Sequence, residues 1–486
     1  MNDHHPASIA RRRWLQRSAV GAAGAFGAGS LVNLLSTATP AAAQSAASYK
    51  ALVCVFLYGG NDGLNTIVPT DTTRYGQYSG VRAGLALPRA SLVGLTGTDY
   101  GLHPALSALQ PAWAAGKLAP VFNVGPLVQP LTKTQYRALA SSAPAMPDNL
   151  FSHSDQQVLW ETATGDSQTP TGWGGRASDV LGTTNPVISL GGNGHFGISA
   201  LQAPLVLPGP GSTFGVQGLQ TADLGWAPVA ARKTALDAIY TQASADAIAN
   251  DLTSGYARQQ RDAFAMSDRL GALIAAQPGG TSTQIDAAFA PLITANRVTG
   301  QLAPQLYQAA KLIQGNATVQ GTRQIFFVQL GGFDTHGEQV SGSDPLGGRH
   351  AVLLKQLGDA LAAFHNAMTA IGMADSVTTF TQSDFGRTFK PNNSTGTDHA
   401  WGNQHLVLGG AVHGGATYGT YPTLALGGPD DVGVDSWEQQ GRWIPTTSVD
   451  QYAATLLRWF GSTEAQLDAV LPNLRNYGTA RGLGFV

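Results

Sequence analysis

Residues 51–65 read ALVCVFLYGGNDGLN. Eight consecutive hydrophobic residues, Ala51–Tyr58, are followed at once by two glycines and then by Asn61 and Asp62. A continuous apolar run of this length predicts a strand that is buried on both faces, as the strands of parallel sheets are. In such sheets, ligands bind at the carboxyl ends of the strands. The stretch therefore predicts an α/β fold with a polar site directly after its first strand.

Short apolar runs alternate with longer helical patterns along the rest of the chain. The further predicted strands are Val121–Val124, Val187–Leu190, Ile325–Leu330, Val377–Gln382 and Leu406–Leu408. The predicted helices are Pro104–Ala115, Asp155–Ala163, Ala245–Ala276, Ile285–Ala295, Gln301–Gln314, His350–Ile371 and Val449–Phe460. This alternation is typical of a three-layer α/β sandwich with a mainly parallel sheet. The helical pattern from about residue 212 to 322 predicts a helical insertion into an α/β domain of residues 46–486.

The N-terminal segment has the three parts of a twin-arginine export signal. The arginine motif is Arg11-Arg12-Arg13-Trp14-Leu15-Gln16, the uncharged run is Ser18–Leu35, and the small-residue cleavage site is Ala41-Ala42-Ala43. We expect residues 1–45 to be this signal and the mature chain to be periplasmic or secreted. The twin-arginine translocase would be its partner during export. No apolar run of the mature sequence is long enough to span a bilayer.

The composition excludes several classes of protein. The 28 Lys and Arg residues against 30 Asp and Glu residues give a net charge of −2, which does not provide the basic surface that nucleic-acid binding needs. The single cysteine, Cys54, excludes an internal disulfide and a CxxC zinc site. The sequence contains no GxxxxGKS/T, GxSxG or HExxH motif, so it does not support a P-loop enzyme, an α/β-hydrolase or a zincin.

Acidic residues and histidines gather after the predicted strands. Five of them follow a strand end or lie in the loop behind one: Asp62, Asp334, His336, Asp384 and His399. Because the carboxyl ends of parallel strands share one edge of the sheet, we expect these side chains to meet there. Asp and His ligands without Cys suit Zn²⁺, Mn²⁺ or a similar divalent metal, as one or two ions. The alternative is that each Asp is an ordinary turn residue.

A second candidate lies in Phe151–Gln157, just before a helical pattern. Ser152 either caps this helix or acts as a nucleophile at the helix N-terminus beside a metal. Arg387 either holds an anionic ester oxygen as a planar fork or forms a salt bridge with a carboxylate. The further candidates for the same site are Asn61, His153, Ser154, Asp398 and His405.

The order of these motifs resembles that of the alkaline phosphatase, sulfatase and cofactor-independent phosphoglycerate mutase superfamily. More closely, the chain resembles the bacterial twin-arginine-exported family of domain of unknown function 1501. The matching blocks are GGNDGLN at 59–65, SHSDQQ at 152–157, GGFDTHGEQ at 331–339, SDFGRT at 383–388 and DHAWGN at 398–403. The resemblance implies an alkaline-phosphatase-like α/β fold, and the family has no settled substrate.

The chain departs from the superfamily at one ligand position. The superfamily's adjacent Asp-His pair is Asp384-Phe385 here, so the resemblance leaves His399, His405 or Asp398 to replace the missing ligand. The sequence has no sulfatase-type C/S-x-P-x-R block, so formylglycine-dependent sulfatase activity is not supported.

The sequence therefore predicts an exported metal-dependent hydrolase of phosphate, sulfate or related esters, acting on a small-molecule or polymer substrate. The first alternative is a catalytically inactive, alkaline-phosphatase-like binding or scaffold protein of the cell envelope, because a fold does not dictate a function. The second is an exported redox enzyme, because twin-arginine export often serves cofactor proteins, although the sequence carries no flavin, haem or molybdenum signature.

Overall fold

The structure is a computed structural model that describes residues 48–216, 218–219, 225–245, 251–280 and 282–486. The predicted export signal, residues 1–45, lies outside these residues. Within them, no helix is both long enough and apolar enough to cross a membrane. The described chain divides into two compact units, one made of residues 215–271 and the other of the remaining residues.

The larger unit is built on an eight-stranded sheet. In chain order, its strands are β1 (Lys50–Tyr58), β2 (Leu118–Gly125), β3 (Ile188–Ser189), β4 (Leu205–Val206), β5 (Arg323–Gly331), β6 (Val377–Ser383), β7 (Asn403–Gly409) and β8 (Thr447–Ser448). Their order across the sheet is β8-β2-β7-β6-β1-β5-β3-β4, and every strand except β7 runs in the same direction. The prediction of an α/β fold with a mainly parallel sheet is confirmed.

The helices of seven or more residues are, in chain order, α1 (Thr72–Arg82), α2 (His153–Thr162), α3 (Trp173–Leu181), α4 (Ala227–Ala245), α5 (Asp251–Ala275), α6 (Thr283–Phe289), α7 (Ala303–Gln314), α8 (Arg349–Ala370), α9 (Val449–Phe460) and α10 (Glu464–Val470). The shorter α-helices are Gly63–Thr66, Gln110–Ala114, Lys133–Ala138 and Asn316–Val319. The short strands outside the main sheet are Ile67–Pro69, Val93–Gly94, Tyr100–Leu102, Ile293–Thr294 and Arg297–Val298.

The first strand lies inside the sheet, as its hydrophobic run predicts. β1 pairs in parallel with β5 on one side and β6 on the other, so that Val55 lies opposite both Val328 and Thr381. Residues 51–57 are all buried, with exposures of at most 2%. One face of the strand packs with α2, α3 and α9 in a single hydrophobic core. Burial on both faces explains why the strand is apolar throughout instead of alternating.

Prolines account for two differences from the predicted helices. The predicted helix Pro104–Ala115 is a 3₁₀ segment, Pro104–Leu109, followed by the short helix Gln110–Ala114. Pro111 has no N–H to continue an α-helical ladder across this junction. The predicted helix Ile285–Ala295 ends as an α-helix at Phe289 and continues as a 3₁₀ turn, Ala290–Leu292, because Pro291 in that turn has no N–H to extend the α-helical ladder. The chain then forms a two-stranded hairpin, Ile293–Thr294 with Arg297–Val298.

The smaller unit is helical. It contains α4 and most of α5, and a small core of Leu219, Val229 and Phe264 lies within it. This unit, residues 215–271, is shorter than the predicted insertion of about 212–322. The helices α6 and α7 belong to the larger unit, where both pack against α8.

Gly59, the residue after β1, makes the close approach of two strand-end loops possible. Its φ is +111°, and a Cβ there would lie 2.3 Å from the backbone N of Asp334. Gly59→Ala is therefore expected to destabilise the fold by about 3 kcal/mol or more, through strain at positive φ and overpacking. Gly76→Ala is the matched control, because a Cβ at this exposed position of α1 meets nothing within 4 Å. It should stabilise by about 0.5–1 kcal/mol. Equal urea midpoints for the two variants would contradict the argument.

Candidate metal centre

The carboxyl edge of the sheet gathers the polar loops. The segments after β5 and β6 carry Asp334, His336 and Asp384 to this edge. Because β7 runs antiparallel to its neighbours, the loop that precedes it, with His399, lies at the same edge. The N-terminus of α2 brings His153 to the same place. The antiparallel direction of β7 thus explains why His399, which precedes its strand, lies beside Asp334 and His336, which follow theirs.

Four side chains converge there: His153, Asp334, His336 and His399. Each offers one ligand atom, and these atoms all lie within 4.8 Å of one another. From Asp334 Oδ1, the distances to the Nε2 atoms are 3.3 Å for His336, 3.4 Å for His153 and 3.9 Å for His399. A tetrahedral ion with metal–nitrogen bonds of about 2.0–2.1 Å separates its ligand atoms by about 3.3 Å. The spacing therefore fits a set of ligands around one metal ion.

The other ring nitrogen of each histidine already has a partner. Nδ1 of His153 lies 2.7 Å from Asp384 Oδ2, Nδ1 of His336 lies 2.9 Å from Asp398 Oδ1, and Nδ1 of His399 lies 2.7 Å from the carbonyl oxygen of Phe151. A carbonyl only accepts, so His399 donates from Nδ1 and its neutral ring has a lone pair on Nε2. Metal-binding histidines characteristically make such a hydrogen bond to a carboxylate or carbonyl.

Among the described residues, the converging Nε2 atoms have only one another and Asp334 Oδ1 as close polar neighbours. Nε2 of His336 and Nε2 of His399 lie 2.7 Å apart. Because Nδ1 of each ring donates, each Nε2 carries a lone pair, and the two lone pairs repel each other unless a proton or a cation lies between them. Nε2 of His153 is buried and has no hydrogen-bond partner among the described residues. A buried, unpaired polar atom is costly. A shared cation satisfies all three nitrogens at once.

The residues behind the histidines are themselves held in place. Asp384 is fully buried and accepts from the backbone N–H of Gly59 at 3.0 Å and from Nε2 of Gln157 at 2.8 Å. Asp398 accepts from Nδ2 of Asn392 at 3.0 Å. Phe151 has a φ of +73°, which is a strained conformation for a bulky residue. Such strain is characteristic of functional sites, and here it accompanies the carbonyl that faces His399.

Arg387 positions Asp334. Its guanidinium is fully buried and donates to Asp334 Oδ1 at 2.5 Å and to the carbonyl oxygens of Gly59, Gly60 and Thr397 at 2.5–2.8 Å. Burial alone would raise the pKa of Asp334, but the hydrogen bond and charge of Arg387 outweigh it and lower the pKa. The structure thus shows the salt bridge that was one of the two alternatives for Arg387. Because the guanidinium is fully buried and four of its five N–H groups donate to these oxygens, this arginine is not placed to hold a substrate.

The sequence profile of the family described as "Protein of unknown function (DUF1501)" matches residues 49–432. The chain belongs to the DUF1501 family. No curated protein matches it. Among solved structures, the chain is similar to one described as "Crystal structure of Ps i-CgsB in complex with k-i-k-neocarrahexaose", at 11% identity and a TM-score of 0.31, over 88% of this chain and 76% of that chain.

Asp62 of this DUF1501 chain lies apart from the cluster, in contrast to the expectation that it binds metal. Its side chain is fully buried, and both oxygens accept from Arg82, at 2.6 and 2.7 Å. It also accepts from Nε2 of Gln339 at 2.6 Å and caps the short helix Gly63–Thr66. Burial would raise the pKa of Asp62, but the charge of Arg82 outweighs it and lowers the pKa. Its partners make Asp62 a structural ion pair.

Two other predicted residues are also engaged elsewhere. Asn61 contacts Nε2 of His350 at 3.0 Å through Oδ1. His405 lies in β7, is fully buried, and packs on Trp160 with ring centroids 4.7 Å apart. Burial lowers the pKa of His405 to about 3, so this ring is neutral in the core. Neither residue belongs to the cluster of four.

The two serines at the start of α2, Ser152 before the helix and Ser154 in its first turn, do not cap the helix. Ser152 is the residue before the helix, but its hydroxyl donates to Asp155 Oδ2 at 2.6 Å and does not accept from a helix N–H. Its Oγ lies 3.2 Å from Oγ of Ser154, which is exposed. No hydrogen bond joins either hydroxyl to the four cluster side chains among the described residues. Ser152, the predicted nucleophile, directly precedes His153 of the cluster in the sequence. Its hydroxyl, however, donates to Asp155 in the first turn of α2.

The cluster is open to solvent. The side chains of Asp334 and His336 are 49% and 46% exposed. Structural metal sites are usually closed, whereas catalytic sites keep a position open for water or substrate. The exposure of two of its four members favours a reactive site over a structural one in this DUF1501 chain.

The carboxylate behind His336 provides a test of the cluster. Asp398→Asn keeps an oxygen that accepts from Nδ1 but removes the charge, so the affinity for zinc is expected to fall by about 10-fold, the lower end of the 10–100-fold loss typical of such partners. Asp359→Asn, which removes the same charge from a surface pair with Lys355 on α8, is the control. Isothermal titration with zinc measures both. Equal affinities of the two variants would argue against His336 as a ligand.

Proposed function

We propose that this protein is an exported, metal-dependent hydrolase of phosphate, sulfate or related esters. The observation that carries the proposal is the convergence of three histidine Nε2 atoms on Asp334, each histidine oriented through Nδ1. The export rests on the twin-arginine pattern of residues 11–43, with a periplasmic or secreted location. The alkaline-phosphatase-like relationship rests on the order of the sequence motifs.

The charges at this edge favour one divalent ion. Arg82 neutralises Asp62, and Arg387 neutralises Asp334. The carboxylates of Asp384 and Asp398 remain, both behind histidines. These two carboxylates attract a divalent cation, and the guanidinium of Arg442, which interacts with Asp398, offsets part of their charge. The three nitrogens and one oxygen suit Zn²⁺ or Mn²⁺.

The arrangement of the cluster fits ester hydrolysis. A divalent ion held here would act as a Lewis acid on an ester oxygen and would lower the pKa of water. Asp334 is kept ionised by Arg387, and the exposed side of His336 leaves an approach for the substrate. Because the Ser152 hydroxyl donates to Asp155, we favour direct attack by water over attack by Ser152.

The proposal is tested by hydrolysis of p-nitrophenyl phosphate and p-nitrophenyl sulfate with the mature protein. We expect turnover of at least one ester by the zinc- or manganese-loaded protein and none by the metal-free protein. Ser152→Ala should keep most of the activity if water attacks, and lose it if the serine does. Full metal occupancy without turnover of any ester in a broad panel would contradict the proposal and favour a binding or scaffold protein.

A further inference from the structure

We propose that Arg442 binds the anionic group of the substrate, a tetrahedral oxyanion such as phosphate or sulfate, beside the metal cluster. The part that this residue plays in hydrolysis rests on the proposed function, whereas its binding of an oxyanion does not. Arg442 lies beyond the segment that matches the DUF1501 profile, which ends at residue 432.

Arg442 contacts the two residues that form the His399 side of the cluster. Its Nε donates to the backbone carbonyl of His399 at 2.9 Å. Its guanidinium carbon lies 5.2 Å from the ring centroid of Phe151, the residue whose own carbonyl faces Nδ1 of His399. A guanidinium over an aromatic face is held by cation–π attraction. The two contacts together fix the plane of the guanidinium next to a proposed metal ligand.

The backbone of Arg442 is held as well. Its N–H donates to Asp431 Oδ1 at 3.2 Å, and its carbonyl accepts from the N–H of Val432 at 3.1 Å. Asp431 is fully buried and also accepts from the N–H groups of Gly427 and Gly441, at 2.9 and 3.1 Å. A binding group that is rigid before the ligand arrives loses less conformational entropy on binding.

Two nitrogens of the guanidinium remain available. Nη1 and Nη2 of Arg442 have no hydrogen-bond partner among the described residues, and Arg442 forms no ion pair with them. The residue is only partly buried, and neither nitrogen is among the buried polar atoms without a partner, so both are accessible from solvent. A planar pair of donors matches two oxygens of a phosphate or sulfate group. By contrast, Arg387 and Arg82 are buried and paired with carboxylates.

The N-terminus of α2 adds a second attraction for an anion at the same place. This ten-residue helix begins at His153, a member of the cluster, and no side chain caps its first turn. Ser152, which could cap it, donates its hydroxyl to Asp155 instead. Uncapped N–H groups and the helix dipole favour negative charge, part of which the carboxylate of Asp155 in the same turn already supplies. An oxyanion between Arg442 and this helix end would lie next to His153 and His399.

The test measures the binding of inorganic phosphate and of sulfate to the zinc-loaded protein by isothermal titration. Arg442→Met should raise the dissociation constant for the preferred oxyanion by about 10–100-fold, the loss of one or two charge-assisted hydrogen bonds. Arg442→Lys keeps the charge but not the planar fork, so its loss should be smaller. Arg137→Met is the control, because Arg137 is 47% exposed and pairs with Glu438. It should leave the affinity within about twofold.

Zinc affinity is measured on the same variants to separate anion binding from a structural role. An unchanged zinc affinity with weakened oxyanion binding in Arg442→Met supports the proposal. Wild-type oxyanion binding by Arg442→Met, a parallel loss of zinc, or no oxyanion binding by the zinc-loaded wild type would each overturn it. A wild type that binds phosphate through Arg442 but hydrolyses no ester would refute the hydrolase and leave this binding site standing. The relative affinities for phosphate and sulfate identify which oxyanion the site prefers.

Discussion

His336→Ala is expected to weaken zinc binding by more than about 100-fold. Loss of a carboxylate that only orients a ligating histidine typically lowers metal affinity by about 10–100-fold, and loss of the ligand itself should cost more. The variant removes one of four converging ligand atoms. The side chain is 46% exposed, so its loss opens no cavity in the core and the fold should remain as stable as the wild type. Zinc titration and urea unfolding of the metal-free protein measure the two effects separately.

The matched control is His413→Ala, which removes an exposed imidazole whose Nδ1 lies 3.2 Å from the backbone carbonyl oxygen of Gly484. It should bind zinc as the wild type does. If His336→Ala kept full zinc affinity, the four-residue cluster would not be the metal site. His336 suits this test better than Asp334, because removal of Asp334 would also leave the buried guanidinium of Arg387 without its carboxylate.

Arg82→Met is expected to destabilise the fold by about 3–5 kcal/mol, because it leaves the charge of Asp62 buried without its partner. Both side chains of the pair are fully buried. Arg74→Met, in the same helix α1, removes a partly exposed arginine that pairs with Asp71, and should cost less than about 1 kcal/mol. Urea unfolding measures both. A cost for Arg82→Met no larger than that for Arg74→Met would contradict the buried ion pair.

The double variant Asp62→Asn/Arg82→Met decides the role of Asp62. The double variant has no buried charge without a partner, and the amide oxygen of the introduced asparagine can still cap the helix Gly63–Thr66. We therefore expect it to recover much of the stability lost in Arg82→Met. It should also bind zinc with wild-type affinity. Loss of zinc in the double variant would restore Asp62 as a metal ligand.

The sheet is predictable from the sequence because its central strands are buried on both faces. Such strands appear as uninterrupted apolar runs, and β1 and β6 begin or end within one residue of their predicted limits. Helices interrupted by Pro111 and Pro291 are less predictable, since one missing N–H changes the local helix type.

The site is only partly predictable, because pairing of charges depends on the folded chain. Asp334, His336 and His399 were predicted from their strand-end positions, and the structure brings them together. His153 was only a further candidate, because it lies at the start of a helix and the rule that strand ends share one edge of the sheet does not predict its position. The partner of Asp62 could not be anticipated, since Arg82 lies 20 residues away on another helix. The position of Arg442 could not be anticipated either. Two contacts in the folded chain relate it to the cluster, one with the carbonyl of His399 in the loop before β7 and one with the ring of Phe151.

The central claim is a single metal ion held by His153, Asp334, His336 and His399. Anomalous diffraction from crystals of the mature protein loaded with zinc tests it most directly. We predict one peak, within bonding distance of the Nε2 atoms of the three histidines and of Asp334 Oδ1. A peak at the Asp62–Arg82 pair, or a well-ordered cluster without a peak after zinc loading, would contradict the account.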